Sequence, residues 1–266
     1  MEKQNTNFLK VNSGQPDERR LAYVKDEGTR SPGVLFIPGF MGHKDADKPK
    51  ALHNFCKKIG LSFLRYDPTA LGESEGLTER KDARFAHWLQ DAEEVLLQLT
   101  DGPQLVIGSS MGGWIASLLA KKNPDKFHSL LLLAPSVNFS EFYIQKIRSK
   151  APAPLLELLE KGGNYEYVDP KYGPYPLSLR VFEEMVPYEL PLESEDGFTV
   201  SCPVRIIHGT QDNYSPYETS LKLMKAFNTS DLQLVYVKGA DHHLDTSPGL
   251  DVVFDTISKM AISSKL

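Results

Sequence analysis

The sequence has 266 residues, of which 41% are apolar and 24% charged, with a net charge of -5 at pH 7. Its length suits one large α/β domain or two small ones, and its composition is that of an ordinary globular protein. The net negative charge argues against nucleic acid as a partner, because nucleic-acid binding requires a basic surface. No apolar run approaches the roughly 18 residues of a membrane span, which excludes such a span.

The predicted elements alternate between strands and helices. Several apolar runs are apolar on successive residues, as in parallel strands covered on both faces, and the clearest helix carries one apolar stripe. This alternation predicts a single α/β domain over residues 1–266, with a mostly parallel sheet and right-handed crossovers. In chain order the elements are strands Leu21–Val24 and Val34–Ile37, helix Pro49–Ile59, strand Leu61–Tyr66, helix Lys81–Thr100, strand Leu105–Ile107, helix Met111–Lys122, strands Leu130–Leu133 and Val204–His208, helix Pro216–Phe227, strand Leu232–Val237 and helix Leu250–Ile262.

One segment, residues 137–200, breaks the alternation. It shows no convincing strand, but it has apolar helical patches on either side of the Pro/Tyr/Gly-rich stretch Tyr165–Pro176. An insertion of this length between two sheet strands predicts a helical lid. The alternative is a set of helices that pack on the core and have no gating role.

The N-terminus and the cysteines bear on the compartment and on cofactors. Met1–Asp17 is polar and resembles neither a secretory signal nor a transit peptide, so we expect an intracellular, cytoplasmic protein unless a presequence is missing. Cys56 and Cys202 have apolar neighbours, which predicts buried free thiols in a reducing compartment. No residue group has metal-ligand spacing, and His242 and His243 are adjacent, so no metal or cofactor is expected.

Two segments match the pattern Gly-x-Ser-x-Gly: residues 108–112, centred on Ser110, and residues 72–76, centred on Ser74. Ser110 follows an apolar strand and precedes a helix, and its context resembles the nucleophile elbow of the α/β-hydrolase fold. Ser74 follows a turn and lies between two glutamates, which would oppose a developing oxyanion. Ser109 does not fit the pattern, because Ile107 and Met111 stand at the two glycine positions. Ser110 is therefore the predicted nucleophile.

The order Ser, Asp, His of this fold selects the partners of Ser110. His128 and His208 lie in a turn and at a strand end and are interpreted as structural. His242 and His243 follow the last strand through Gly239, at the edge where ligand sites of α/β proteins gather, and the Gly-x-x-His turn favours His242 over His243 as base.

The predicted acid is Asp212, on the loop after the preceding strand. An Asp before a helix is often only a cap, and Asp241 is the competing acid, but its position beside His242 requires an awkward local geometry. Two N–H donors are needed to stabilise an oxyanion. We assign them to the backbone of Met111 and Phe40, although the loop of Phe40 is also consistent with a plain turn at a strand end.

The chain resembles one family of animal mitochondrial hydrolases, called α/β-hydrolase domain-containing protein ten. The resemblance rests on segments at residues 32–40, 54–57, 64–67, 101–104, 108–114 and 202–205, with His208-Gly209, Asp212 and Asp241-His242. It implies an esterase and palmitoyl-protein thioesterase that also hydrolyses acyl glucuronides, with a mitochondrial location. Ser110, Asp212 and His242 take the family's triad positions. The segment 137–200 aligns poorly, and His243 stands where the family has Arg.

The sequence therefore predicts a serine hydrolase that acts on small-molecule acyl esters or S-acylated proteins, and the apolar lid favours a fatty acyl chain. A small-ester carboxylesterase or a carbon–carbon bond hydrolase on the same fold is the alternative enzyme. A ligand-sensing relative that keeps the cavity without catalysis is the alternative from another class.

Overall fold

The computed structural model describes residues 5–77 and 80–262. Part of the polar N-terminal segment Met1–Asp17 lies outside these ranges. The strands are β1 Asn7–Val11, β2 Arg19–Asp26, β3 Arg30–Ile37, β4 Leu61–Tyr66, β5 Gln104–Ser109, β6 Phe127–Leu133, β7 Tyr165–Asp169, β8 Gly173–Leu177, β9 Phe198–Thr199, β10 Val204–Gly209, β11 Phe227–Asn228 and β12 Leu232–Val237. The α-helices are α1 Asp47–Lys58, α2 Phe85–Leu99, α3 Met111–Lys122, α4 Ser140–Lys150, α5 Ala153–Glu160, α6 Leu179–Glu183, α7 Glu218–Ala226 and α8 Gly249–Ile262.

Eight strands form the main sheet, in the order β1-β2-β4-β3-β5-β6-β10-β12. Six neighbouring strands of this order, β4-β3-β5-β6-β10-β12, run parallel to one another. Strand β2 pairs antiparallel with both β1 and β4. The sheet is therefore mostly parallel, which confirms the prediction. In the register, Ile37 lies opposite Gly108, and Ser109 lies opposite Leu133. The carboxyl ends of β3, β5 and β6 therefore meet at one edge, where α/β proteins place their ligand sites.

Helices cover both faces of the sheet because the central strands carry apolar side chains on both. In β5, for example, Leu105 and Ile107 face the core on the side of α1 and α8, and Val106 faces the side of α2 and α3. Cys56 and Cys202 are both buried free thiols, as predicted. Across the described ranges, no helix is long and apolar enough to cross a membrane.

The insertion segment, residues 137–200, contains helices α4, α5 and α6, but the expectation that it has no strand is wrong. Strands β7 and β8 pair as an antiparallel hairpin within the Pro/Tyr/Gly-rich stretch. Pro174 and Pro176 masked the strand signal, since proline cannot donate a hydrogen bond to a sheet ladder. A two-stranded ribbon consists only of edge strands, where proline is tolerated. The segment also contributes β9, which pairs with β11 outside the main sheet.

The strand β1 is a second element that the sequence pattern did not predict. It pairs with β2 along five residues, from Asn7 to Val11, at the edge of the sheet. Only Leu9 and Val11 are buried in this short strand, so its alternation is too brief to identify from the sequence. Helix α2 also begins at Phe85, later than predicted, because residues 80–82 form a separate 3₁₀ turn.

Candidate active site

Ser110 occupies the sharp turn between β5 and α3, with a φ of 55° and a ψ of -125°. This backbone conformation is strained for a residue with a side chain and is typical of a nucleophile elbow. A Cβ on Gly108 would lie 2.5 Å from the carbonyl oxygen of Gly112, and a Cβ on Gly112 would lie 2.3 Å from that of Ile37. Both positions therefore require glycine, which is the physical reason for the Gly-x-Ser-x-Gly pattern.

The structure brings the three predicted side chains together in one hydrogen-bonded chain. Nε2 of His242 lies 3.0 Å from Oγ of Ser110, and Nδ1 of His242 lies 2.6 Å from Oδ2 of Asp212. Asp212 follows β10 and His242 follows β12, and these strands end side by side with Gly209 opposite Val237. With its Nδ1–H donated to the carboxylate, the ring of His242 presents Nε2 as an acceptor for the hydroxyl proton of Ser110.

The side chain of Asp212 is fully buried, and its carboxylate is held by four donors. The backbone N–H groups of Tyr214 and Ser215 donate to Oδ1, both at 2.8 Å, and His242 and His208 donate to Oδ2. Burial alone would raise the pKa of Asp212, but the hydrogen bonds from His208 and His242 outweigh it and hold that pKa well below its usual range. Asp212 is therefore a carboxylate at any physiological pH.

His208, interpreted as structural from the sequence, is a further neighbour of Asp212 in this site. It is fully buried, and its Nε2 lies 2.9 Å from Oδ2 of Asp212 and 3.2 Å from the carbonyl oxygen of Ser215. Both neighbours are acceptors, so Nε2 carries the proton and Nδ1 accepts from the hydroxyl of Ser220 at 2.7 Å. The four-residue spacing from His208 to Asp212 across one turn is the signal that could have identified it.

The residues that were alternatives for the acid and the base have other neighbours in the structure. Asp241 accepts hydrogen bonds from the backbone N–H groups of His243 and Leu244, which shapes the loop that presents His242. His243 lines the cavity beside Tyr172, with ring centroids 6.2 Å apart. His128 contacts Ser129.

Ser74 is a structural loop residue in this fold. Its hydroxyl accepts the backbone N–H of Ala22 at 2.9 Å and donates to the carbonyl oxygen of Asp67 at 2.6 Å. Ser109 uses its hydroxyl to accept a hydrogen bond from Lys48 at 2.7 Å. Within the described residues, neither of these two hydroxyls hydrogen bonds to a histidine, whereas that of Ser110 does.

The two predicted oxyanion donors flank Ser110. Met111 is the first residue of α3, and Phe40 follows β3 in a loop that lies directly against the nucleophile, since a Cβ on Gly39 would be 2.8 Å from Cβ of Ser110. Within the described residues, the N–H groups of Phe40 and Met111 have no backbone acceptor. The ring of Phe40 packs edge-on against Trp88 and Tyr175, which fixes the loop.

Ser136, which follows β6, is a further neighbour of Ser110 that the sequence pattern did not suggest. Its backbone N–H donates to the carbonyl oxygen of Ser110 at 3.1 Å, and its hydroxyl lies 3.3 Å from Oγ of Ser110. The contact depends on the register of β5 and β6, which no short motif encodes.

A cavity of about 690 Å³ is lined by Ser110 and His242. Its volume lies within the range of about 300–1,000 Å³ that is usual for small-molecule sites. The insertion segment supplies most of the apolar wall, and the rings of Tyr143 and Phe182 stack there with centroids 5.2 Å apart. The arrangement can hold an acyl chain next to an activated hydroxyl. Apolar side chains of the insertion that line the cavity include Phe139, Tyr143, Ile147, Leu155, Leu159 and Phe182.

Two family models match this chain. The model of the alpha/beta hydrolase fold matches residues 32–152, and that of the prolyl oligopeptidase family matches residues 95–249, the part that carries Ser110, Asp212 and His242. The parallel sheet, the elbow at Ser110 and both matches define the protein as an α/β-hydrolase, the predicted fold class.

Similar proteins narrow the assignment within this class. The palmitoyl-protein thioesterase ABHD10, mitochondrial, of Pongo abelii is 30% identical over 249 residues, which cover 92% of this chain and 78% of the relative. The solved structure of mouse alpha/beta hydrolase domain-containing protein 10 has a TM-score of 0.79 at 27% identity, covering 96% of this chain and 98% of that one. The chain therefore belongs to the family of α/β-hydrolase domain-containing protein 10. A putative hydrolase from Agrobacterium vitis has the same fold, with a TM-score of 0.85 at 24% identity over 97% of this chain and 98% of that one.

Proposed function

We propose that this protein is a serine hydrolase that cleaves fatty-acyl esters and thioesters, with Ser110 as nucleophile, His242 as base and Asp212 as acid. The observation that carries the proposal is the unbroken hydrogen-bond chain across these residues, with distances of 3.0 and 2.6 Å, in the wall of a largely apolar cavity. A serine hydroxyl is a weak nucleophile on its own, and an oriented imidazole is what activates it.

The reaction proceeds by two acyl transfers. Nε2 of His242 takes the hydroxyl proton while Oγ of Ser110 bonds to the carbonyl carbon, and the oxyanion accepts hydrogen bonds from the N–H groups of Met111 and Phe40, each worth about 3 kcal/mol of barrier. His242 then gives the proton to the departing oxygen or sulfur, and the bond to the leaving group breaks. A water molecule, deprotonated by His242, attacks the acyl-Ser110 and releases a carboxylic acid and the free serine.

The acyl group that we propose is a fatty chain. The apolar wall from the insertion segment supports this choice, because each buried methylene contributes about 0.8 kcal/mol to binding. Relatives of this chain are named palmitoyl-protein thioesterases, which supports S-acylated proteins as one substrate class. The same chemistry cleaves oxygen esters, including acyl glucuronides.

A fluorophosphonate probe and a series of S-acyl thioesters from acetyl to palmitoyl test the proposal. Wild type should be labelled, and its kcat/KM should rise with acyl length by up to about fourfold per methylene. Ser110→Ala should lose labelling and hydrolysis. Ser74→Ala, which alters the serine of the second Gly-x-Ser-x-Gly segment, is the matched control and should keep both. Labelling of Ser110→Ala would disprove the assigned nucleophile, and a preference for acetyl would disprove the fatty-acyl substrate.

The alternatives give different results in the same assays. A small-ester carboxylesterase prefers the shortest acyl groups, and a carbon–carbon bond hydrolase is labelled but cleaves no thioester. A ligand-sensing relative is folded, binds fatty acid and is not labelled. A peptidase, as the match to the prolyl oligopeptidase family suggests, cleaves a prolyl p-nitroanilide faster than the matched acyl thioester.

We also propose a mitochondrial location, which is supported by the relatives named as mitochondrial palmitoyl-protein thioesterases. The full-length protein, tagged at its C-terminus, should co-fractionate with mitochondria when it is expressed in its own cells. Recovery in the cytosol alone would contradict this location.

A further inference from the structure

Lys48, in the first turn of α1, is a buried lysine that the mechanism does not use. It is 9% exposed, and both Lys48 and Ser109 line the catalytic cavity. An ammonium group has three N–H donors, and a single side-chain acceptor, Oγ of Ser109 at 2.7 Å, is in reach within the part of the chain that the structure describes. At least one donor is therefore left for a group inside the cavity.

The charge of Lys48 has no carboxylate partner of its own. No carboxylate oxygen of residues 5–77 and 80–262 lies within 4.0 Å of Nζ, and the acidic side chains that act on it from further away are engaged elsewhere. Asp245 pairs with Lys171, Asp241 accepts backbone N–H groups, and Asp212 is held by two histidines. A buried charge without a close counterion is costly, and an anionic group of a substrate in the cavity would offset that cost.

The residues that share the cavity wall with Lys48 indicate which part of a substrate it contacts. Lys48, Ser109, Tyr172 and His243 line a small recess of about 30 Å³ that adjoins the cavity beside the histidine loop. The other charged residues in the wall of this recess are Asp47, Lys171 and Asp245, of which the last two pair with each other. In the proposed reaction His242 protonates the leaving group, so the leaving group lies on the side of this loop. The acyl chain lies along the apolar wall of the insertion segment.

We infer that Lys48 is an anion-binding residue that holds a carboxylate or phosphate group carried by the leaving group. This inference rests on the proposed hydrolase activity and specifies its substrate class. The Nζ–H groups that do not donate to Ser109 donate to the anion. The anion is then the counterion of Lys48. Ser109, which accepts from Lys48, precedes Ser110 in the cavity wall, so we place the anion within a few bonds of the scissile oxygen or sulfur.

Three octanoyl thioesters that differ only in the leaving thiol test this inference: those of mercaptopropionate, mercaptopropyl phosphate and the neutral mercaptopropionamide. Wild type should show a kcat/KM for at least one anionic thioester about tenfold or more above that for the amide, the size of a charged hydrogen bond. The larger of the two preferences identifies the anion. In Lys48→Met the ratio of anionic to neutral kcat/KM should fall to about one, and Lys48→Arg, which keeps the charge, should retain a preference.

Lys222→Met is the matched control, because Lys222 lines the same cavity but is exposed and pairs with Glu193. Its ratio should equal that of wild type. Equal cleavage of all three thioesters by wild type would overturn the role of Lys48 and leave the proposed function intact. A fall of kcat/KM by the same factor for every substrate in Lys48→Met would overturn it as well, since that pattern indicates stabilisation of the oxyanion. Cleavage of none of the three by wild type would instead contradict the proposed function.

Discussion

The imidazole rings of His208 and His242 hydrogen bond to the same oxygen of Asp212, Oδ2, at 2.9 and 2.6 Å. One ring belongs to the proposed catalytic chain, and the other is buried behind the carboxylate. Because His208 donates from Nε2 and accepts from Ser220 at Nδ1, it is fixed in one tautomer and cannot compete for the proton of Ser110. His208 is thus a positioning residue that acts through Asp212.

Replacement of His208 by Ala should lower kcat about tenfold and leave KM nearly unchanged. The variant removes one charged hydrogen bond, typically worth about 1.5–3 kcal/mol, from the residue that orients His242. His208→Gln, which keeps an N–H donor, should recover part of the rate. Steady-state kinetics on one acyl thioester measure both. If KM rises while kcat holds, His208 has a role in shaping the cavity and not in positioning Asp212.

Replacement of Asp212 by Asn should lower kcat by roughly 10³–10⁴-fold, because the amide group would favour the wrong tautomer of His242. The control is Asp241→Asn. Among residues 5–77 and 80–262, only backbone N–H groups donate to Asp241, so this variant should keep most of the wild-type rate. The rate of labelling by the fluorophosphonate probe gives the same comparison without a substrate. Comparable losses in both variants would mean that the loop geometry, and not the acid, limits the reaction.

Glycine at position 112 is required by backbone packing, and Gly113 provides the comparison. A Cβ at Gly112 would lie 2.3 and 2.5 Å from the carbonyl oxygens of Ile37 and Pro38, whereas a Cβ at Gly113 would meet the side chain of Pro135 at 3.1 Å. We expect Gly112→Ala to destabilise the protein by about 2–4 kcal/mol and Gly113→Ala by about 1 kcal/mol or less. Urea unfolding of both variants measures the difference. Equal losses would show that β3 yields to the added methyl group.

The parts of the structure that could be predicted from sequence are those encoded by local pattern. The apolar run before Ser110 and the helical run after it specify a strand, a turn and a helix, and glycines at fixed spacing specify the elbow. The parallel order of the strands then implies that the loops after β10 and β12 meet, so Asp212 and His242 could be placed near Ser110 without knowledge of their distances.

Contacts that depend on packing between distant segments could not be predicted in this way. Lys48 lies just before the predicted helix Pro49–Ile59, and lysine side chains are seldom buried. Only the approach of α1 to the end of β5 buries Lys48 against Ser109. The hydroxyl of Ser136 approaches Ser110 through strand register. The hairpin of β7 and β8 depends on its being an isolated ribbon, a condition that the prolines of the sequence do not reveal.

The burial of Lys48 should also lower the free energy of unfolding, by an amount that depends on pH. Burial lowers the pKa of Lys48 to about 8 from its usual value of 10.5. The folded state therefore binds this proton less tightly than the unfolded state does. The destabilisation is complete below pH 8 and disappears as the pH rises towards 10.5.

Lys48→Met should accordingly raise the free energy of unfolding at pH 7 by about 1–2 kcal/mol, after the loss of the hydrogen bond to Ser109 is subtracted. The gain should shrink between pH 8 and 10.5, because wild-type Lys48 is then neutral in the folded state. Lys222→Met, at an exposed lysine of the same cavity, should change the stability by less than about 0.5 kcal/mol at both pH values. Urea titrations at pH 7 and pH 10 measure these differences. A gain that does not depend on pH would indicate better packing of methionine and not removal of a buried charge.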